Sequence, residues 1–474
     1  MVEKGKTSGN KALMLALPVL VGVVLWFVPA PEGVEVQAWH LLAIFIATIV
    51  GIIAKPLPMG AVAIIGITVT ALTGTLSVDK ALGGFSNKTI WLIVMAFFVA
   101  RGFIKTGLGS RIGYIFMRLL GKKTLGLSYG LIITDMILAP AIPSNTARGG
   151  GIIYPILRSV AEAYGSRPGD GTARKLGAFL IKTSFQTLII SSTMFLTAMA
   201  ANPLSAKFAA EQGVEISWGL WALAASVPGL VSLLVIPLLL YKIYPPEIKE
   251  TPQAVQLAKD KLAEMGKITT HELIMLGTFF MLIILWIFGG SFGVHSTTAA
   301  LVGLAVLLIS TVLNWQDVLD ETGAWDTLIW FAALLMMASN LNSLGLIPWF
   351  GQMMGEMVGG TSWAVAFIIL ALAYFYIHYL FASNTAHISA MYAAFLAVAI
   401  SVGAPPMLAA LVLAFFGNLM SSMTHYGTGP APVFFGAGYV DMGTWWKLGF
   451  LISVINIIIW LGIGGLWWKV LGLW

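Results

Sequence analysis

Apolar runs near or above the roughly 20 residues that cross a bilayer recur along the whole chain, separated by short polar turns. They fall near 11–29, 38–54, 57–76, 89–107, 176–200 and 217–241, and again near 271–289, 297–313, 327–346, 407–434 and 447–470. This pattern predicts an all-α polytopic membrane protein with about eleven transmembrane helices. Two further apolar segments, 124–163 and 361–402, each carry a polar cluster in the middle. The longest polar stretch, 244–270, divides the pattern into halves of matching layout. The expected organisation is an N-terminal helix at 1–37, a first repeat at 38–243 with its odd segment at 124–163, a linker at 244–270, and a second repeat at 271–474 with its odd segment at 361–402.

The two odd segments share a motif. Ser144-Asn145-Thr146-Ala147 in the first recurs as Ser383-Asn384-Thr385-Ala386 in the second, followed by Arg148 and His387 respectively. The first segment is preceded by Arg101, Lys105, Arg111, Arg118, Lys122 and Lys123 and followed by Arg158, Arg167, Arg174 and Lys175. By the positive-inside rule both of its ends face the cytoplasm. Its two arms are too short to cross comfortably but long enough to reach the midplane, so the pattern predicts a re-entrant hairpin with its tip at 143–147. Between Ile347 and Pro406 there is no Lys or Arg, which places both ends of the second segment outside. Two hairpins of opposite entry in matching halves are the signature of an inverted-topology repeat. The N-terminus and the 244–270 linker are then cytoplasmic and the C-terminus is outside. The acidic loop 317–326, expected inside yet without Lys or Arg, runs against this orientation.

Composition narrows the class. Hydrophobic residues make up 58% of the 474 and charged residues only 10%, which excludes a water-soluble fold. The first apolar stretch lacks a cleavage site and is read as a retained helix. With no Cys, thiolate metal sites, disulfides and thiol catalysis are excluded together. The net charge of +6 follows from Lys and Arg in short loops, and no nucleic-acid partner is expected. Trp91, Trp325, Trp349, Trp363, Trp445 and Trp446 lie near predicted span ends and read as headgroup anchors.

Non-helical backbone at membrane depth is tolerated only where protein or a water-filled cavity satisfies it, so the tips must line something. Each tip starts a helix whose free N–H groups and partial positive charge favour an anion. Asn145, Thr146, Asn384 and Thr385 add donors without charge, which suits a carboxylate. Ser191-Ser192-Thr193 with Ala201-Asn202-Pro203 in one span, and Gly417-Asn418, Ser421-Ser422, Thr424 and Gly427-Thr428-Gly429-Pro430 in another, predict two helices broken at the same depth. Candidate substrate-binding residues are therefore Ser144, Asn145, Thr146, Ser192, Thr193, Ser383, Asn384, Thr385, Gly427 and Thr428. Arg148, Lys182, His387 and His425 are candidate fixed cations, since a charge at helix centre usually faces a cavity. Each has a plainer role open to it. Arg148 could pair with Asp135 on the other hairpin arm, Lys182 could snorkel from a span end, and the two His could be packing residues.

The Pro-Ser-Asn-Thr-Ala-Arg-Gly-Gly run at 143–150, the second Ser-Asn-Thr tip and the Gly-Thr-Gly-Pro run at 427–430 resemble the divalent anion/sodium symporter family, in particular its bacterial citrate/succinate and tartrate/succinate antiporters and plastid 2-oxoglutarate/malate translocators. The resemblance covers nearly the whole chain. It implies a homodimer of protomers with a scaffold domain and an elevator-like transport domain, and di- or tricarboxylates held by Asn145, Thr146, Asn384 and Thr385. In sodium-coupled members it also implies Na⁺ beside the same tips, at Ser144, Asn145, Ser383 and Asn384. The first broken helix here departs from the sodium-coupled pattern, with Ser191-Ser192-Thr193 and Ala200-Ala201-Asn202-Pro203 where the family has more Gly and a Thr-Pro-Pro-Asn. The expectation is exchange of one organic acid for another across an inner membrane, with fixed side-chain cations in place of Na⁺ and no other cofactor; a Na⁺-coupled dicarboxylate or sulfate symporter is the alternative. An enzyme is not expected, because a Gly-x-Ser-x-Gly context is missing and catalysis needs one asymmetric constellation rather than two matched ones. No Walker-type loop is present for ATP.

Overall fold

The computed structural model describes the backbone of residues 8–357 and 362–474, and side chains from residue 13 onward except 357–361. Among the described residues the regular structure is helical, and the only extended pairing is an isolated bridge between Lys123 and Glu250. Among the described residues eight helices are long and apolar enough to cross a membrane: Val36–Ala54, Lys88–Thr106, Trp218–Ile243, Thr270–Phe292, Thr322–Ser343, Trp363–Leu380, Asn384–Ser401 and Met442–Val470. Shorter apolar helices include Met59–Leu72, Thr124–Leu138 and Ser296–Ile309. Both arms of the second odd segment are among the eight, so length alone does not separate a re-entrant arm from a span there.

The chain folds into two compact units that interleave in sequence. The first comprises Met1–Val94, Leu204–Glu215 and Thr322–Leu413. Its helices approach closely where side chains are absent. A Cβ on Gly66 would lie 2.6 Å from Thr48 Oγ1 and 2.9 Å from Met337 Cε, and one on Gly84 would run into the carbonyl of Ala332. The indole of Trp26 stacks on His40, with centroids 3.8 Å apart.

The second unit comprises Met95–Pro203, Ile216–Glu321 and Ala414–Trp474. Its long helix Trp218–Ile243 contains Pro228 and Pro237. A proline has no N–H, so Pro228 leaves the carbonyl four residues earlier, at Ala224, without its helical donor. The indole of Trp468 supplies one, Nε1 to O at 2.8 Å, while Trp467 donates to the neighbouring carbonyl of Leu223 at 2.8 Å. Trp221, Trp445, Trp460 and Trp468 are fully buried. Trp445, expected as a headgroup anchor, is thus an interior residue. The sequence places it correctly at a helix start but says nothing of which neighbours cover it.

The 244–270 stretch is a folded part of this unit. Its helix Pro252–Glu264 is held between Thr251, whose N–H donates to Lys122 O at 2.7 Å, and the buried Arg111. Arg111 donates to both oxygens of Glu272, at 2.5 and 3.2 Å, and to the carbonyls of Gly266 and Met265 that close the stretch. The acidic loop also finds its countercharge. Asp317 pairs with Lys105, in the last turn of Lys88–Thr106, at 2.5 Å. Counting basic residues within the loop misses a cation supplied by another helix.

Candidate functional site

Both motifs fold alike. Ser144 is extended, at φ −128° and ψ 107°, and its Oγ accepts the N–H of Ala147 at 3.1 Å to cap a helix that begins at Asn145. Ser383, at φ −155° and ψ 128°, accepts the N–H of Ala386 at 3.4 Å to cap Asn384–Ser401. In each case the Ser ends an irregular turn and the Asn and Thr form the first helical turn, the place where orphan N–H groups lie. After the first tip the helix passes through a π turn at Gly149–Ile153 into Tyr154–Ala163. Crowding explains the first glycine of that turn, since a Cβ on Gly149 would sit 2.6 Å from Leu188.

The first tip meets the second interrupted helix. That helix runs Pro406–Leu419, tightens into a 3-10 turn at Met420–Ser422, loses helical form, and resumes at Ala431–Gly436. Asn145 Nδ2 donates to Thr428 Oγ1 at 3.3 Å and to Met199 Sδ at 3.7 Å. Gly429 comes so close to Thr146 that a Cβ there would collide with its Oγ1. Asn145, Thr146, Gly427 and Thr428, singled out separately in the sequence, therefore belong to one neighbourhood of the second unit.

The other interrupted helix, Gly177–Met194, ends in extended Phe195, makes a 3-10 turn at Leu196–Ala198 and resumes at Ala201–Glu211. Its break is tied to the tip by Arg148, which is completely buried. The guanidinium donates from Nε to Asp135 Oδ1 at 2.9 Å, from Nη1 to the carbonyls of Ile142 and Ala198 at 2.6 Å each, and from Nη2 to Ser192 Oγ at 2.7 Å. Ser191 donates to the second oxygen of Asp135. Of the two roles open to Arg148, the structure gives it the pairing with Asp135, and its donors bind the hairpin to the break. Ser192 and Thr193 are buried as well, their hydroxyls donating to Leu188 O at 2.6 Å and Ile189 O at 2.9 Å within their own helix.

The remaining basic candidates lie in three settings. Lys182 is fully buried, so it does not snorkel; Nζ donates to Trp445 O at 3.0 Å and stands 4.0 Å from the centroid of that indole. Among the described residues no carboxylate pairs with it. His425 Nδ1 accepts the indole N–H of Trp446 at 3.1 Å. His387, in the first unit with Ser383, Asn384 and Thr385, is fully buried, 4.5 Å between ring centroids from Tyr374 and 4.9 Å from Phe381. Neither of its ring nitrogens nor the Tyr374 hydroxyl has a hydrogen-bond partner among the described residues.

A broken helix exposes carbonyls that could serve a cation as well as N–H groups that could serve an anion. Here amide side chains donate to three of those carbonyls. Asn202 Nδ2 donates to Ser192 O at 2.8 Å and Phe195 O at 2.9 Å, and Gln186 Nε2 donates to Ser422 O at 2.7 Å. Asn202 in turn accepts from Asn418. The sequence pattern does not single out these amides as site residues, although Asn202 and Asn418 stand beside the Pro and Gly that mark the two breaks. Among the described residues no group of three His, Cys, Asp or Glu side chains is placed to hold a metal ion.

Matched helix-capping motifs beside interrupted helices, with eight apolar helices of spanning length among the described residues, define a multi-pass membrane transporter rather than an enzyme. The family model described as "Sodium:sulfate symporter transmembrane region" matches residues 9–474, and the chain belongs to this family, the divalent anion/sodium symporters. It is 62% identical over 473 residues to the "Putative malate transporter YflS" of Bacillus subtilis (strain 168), covering 100% of this chain and 99% of that protein. It is 57% identical over 470 residues to "Dicarboxylate transporter 1, chloroplastic" of Spinacia oleracea, covering 98% and 83%. The "Inner membrane protein YbhI" of Escherichia coli (strain K12) is 38% identical, with 98% of both chains covered. Among solved structures, the YdaH transporter of Alcanivorax borkumensis superposes with a TM-score of 0.59 at 13% identity, covering 98% of this chain and 97% of that one, a likeness of fold alone.

Proposed function

We propose that this protein exchanges one di- or tricarboxylate, of the succinate, malate, 2-oxoglutarate, citrate or tartrate class, for another across the inner membrane. The observation that carries the reading is the meeting of the first tip with the second broken helix, where Asn145, Thr146 and Thr428 cluster at a helix start. A carboxylate placed there accepts N–H and O–H donors without needing a paired base. In the first unit Ser383, Asn384 and Thr385 repeat the same cap and the same set of uncharged donors. The dicarboxylate and malate transporter names of the relatives support this substrate class. Alternating access follows an elevator movement of a transport domain in a homodimer, with the two hairpins re-entrant from opposite sides and the N-terminus cytoplasmic.

Exchange is favoured over Na⁺ symport because the carbonyls of Ser192 and Phe195 at one break and of Ser422 at the other already accept amide N–H groups, which makes these three weaker partners for a cation. Positive charge comes instead from side chains. Arg148 is matched by Asp135, so the uncompensated candidates are Lys182, His387 and His425. An empty site with unmatched positive charge resists crossing a low-dielectric barrier, and an anion relieves it. The family description keeps a sodium-coupled dicarboxylate or sulfate symporter as the second reading.

Proteoliposomes decide between them. Uptake of labelled succinate or 2-oxoglutarate is expected to require internal dicarboxylate and to ignore Na⁺, and Lys182→Gln or His387→Gln should weaken binding of the anion. Uptake into empty vesicles driven only by a Na⁺ gradient, or by sulfate in preference to succinate, overturns the proposal.

A further inference from the structure

The first unit carries an apolar groove of about 450 Å³ among three helices, Ser8–Phe27, Val36–Ala54 and Met59–Leu72. The second of these is its floor. A Cβ on Gly22 would lie 3.0 Å from Ala47 Cβ, and one on Gly51 would lie 2.8 Å from Val62 Cγ1 and 3.6 Å from Pro18 Cγ, so the outer helices rest on the middle one through small residues. Val19 and Val23 line one wall, and Ile65 and Val69 the other. Among the described residues no charged side chain lines the groove. Its two hydroxyls are engaged within their own helices, Thr48 donating to Ile44 O and Thr73 to Val69 O at 2.8 Å each.

Leu20, Val24, Ile64 and Leu72 are exposed on the same helices, so the groove opens on a surface that suits hydrocarbon rather than water. Along the first helix its lining runs from Leu15 to Phe27, about 18 Å at 1.5 Å per residue. Over that length the volume corresponds to a cross-section of about 25 Å², roughly a quarter of what a helix 10–12 Å across fills. A helix of a second copy is too wide for it, and one extended hydrocarbon chain is not. One end carries a cation. Lys55 lies a turn past Gly51, its N–H donating to Gly51 O at 3.0 Å, and Pro56 and Leu57 of the lining follow it. It is exposed and makes no ion pair among the described residues; Asp326, at the same end, accepts from the backbone of Gly60. In the orientation proposed above this end is cytoplasmic, beside the leaflet that carries anionic lipid.

We propose that the groove holds one acyl chain of an anionic phospholipid, whose phosphate meets the Lys55 ammonium while the chain runs between the first and third helices toward Trp26. The apolar walls select a chain, and the lone cation at one end selects a negatively charged headgroup over a zwitterionic one. Lipid retention is measured without transport, so its failure leaves carboxylate exchange untouched, and the reverse.

The test exposes the full-length, delipidated transporter in detergent to phosphatidylglycerol, phosphatidylcholine or oleate and reads the retained lipid by native mass spectrometry. The wild type is expected to keep one phosphatidylglycerol per chain in preference to the other two. Lys55→Asn, which tolerates the left-handed backbone at φ 53°, should lower phosphatidylglycerol retention about fivefold, the effect of one cation at an anionic headgroup, and leave phosphatidylcholine unchanged. Val23→Trp and Val19→Phe fill the groove and should remove the retained lipid; both positions are exposed, so either variant keeps the fold. Wild type that keeps no lipid, or keeps phosphatidylcholine or oleate as well as phosphatidylglycerol, overturns the proposal. So do filled variants that retain as much lipid as the wild type, or that change the oligomeric mass instead, which would make a second copy the occupant.

Discussion

Asn418 donates a side-chain hydrogen bond to Asn202, and so joins the two interrupted helices of the second unit amide to amide. Asn202 passes the connection on to the carbonyls of Ser192 and Phe195. The residue at the centre of this relay satisfies more buried groups than the one at its edge. Asn202→Ala strands two main-chain acceptors and is expected to cost about 1–3 kcal/mol of stability, with Asn418→Ala milder. Unfolding of the detergent-solubilised protein in denaturant measures both; an Asn202→Ala variant as stable as the wild type contradicts the relay.

Gly429 lacks a side chain because Thr146 occupies the space one would need. Gly429→Ala should cost about 1–3 kcal/mol by overpacking at the tip, seen as roughly a 5- to 150-fold fall in exchange rate or affinity. In a Thr146→Ala background the same change should cost much less, because the colliding hydroxyl is gone. Equal penalties in the two backgrounds refute the contact.

Pro228 and Trp468 form a compensating pair across the second unit. Trp468→Phe removes the indole donor to Ala224 O and is expected to destabilise by about 1–3 kcal/mol. Pro228→Ala restores the helical N–H, so the double variant should recover a large part of the loss. The measurement is a double-mutant cycle on unfolding, and strictly additive effects count against the pairing.

The tips were legible because an N-cap is a local event, decided by Ser and the next three residues, and because Ser-Asn-Thr is conspicuous in apolar surroundings. The Arg148–Asp135 pair was legible as one of two roles, since a hairpin brings residues 13 apart in sequence onto facing arms. What joins the site was not legible. Asn145 with Thr428, Gln186 with Ser422 and Lys182 with Trp445 pair residues more than 200 positions apart, and no periodicity records which helix faces which. The tryptophans mislead for a related reason. An indole near a span end suits either a headgroup boundary or a buried carbonyl, and only the presence of Pro228 hints at the second for Trp468.

Asp317, outside the apolar spans, gives a pH signature. Burial pushes its carboxyl upward, but the main-chain N–H of Asn314 and the ammonium of Lys105 outweigh this and hold it below its ordinary value. A depressed folded-state pKa contributes stability above the unfolded value, about 3.9, and that contribution disappears as pH falls through the folded value. Asp317→Asn is therefore expected to lose about 0.2–1 kcal/mol at neutral pH and nothing once the carboxyl is protonated in both states. Unfolding midpoints of the two proteins should converge as pH drops below 4; a constant gap would mean that the effect is not electrostatic.

Asn202 also offers a way to ask why amides stand where a cation could. Its Nδ2 is the donor to two carbonyls at a helix break, and an aspartate there would turn a donor into a third acceptor. Three oxygens facing one another in a buried site repel unless something positive enters, and Na⁺ suits an oxygen cage of that kind. Asn202→Asp is thus expected to lower dicarboxylate exchange in Na⁺-free buffer, by roughly tenfold for each 1.4 kcal/mol of unrelieved repulsion, and to regain part of it when Na⁺ replaces choline. The wild type should respond to neither. Counterflow of labelled succinate in proteoliposomes, run at matched ionic strength, reads the difference. If Asn202→Asp is impaired and indifferent to Na⁺, the amide holds the break together without standing in for an ion; if the wild type itself needs Na⁺, the side-chain account of charge balance is wrong at its root.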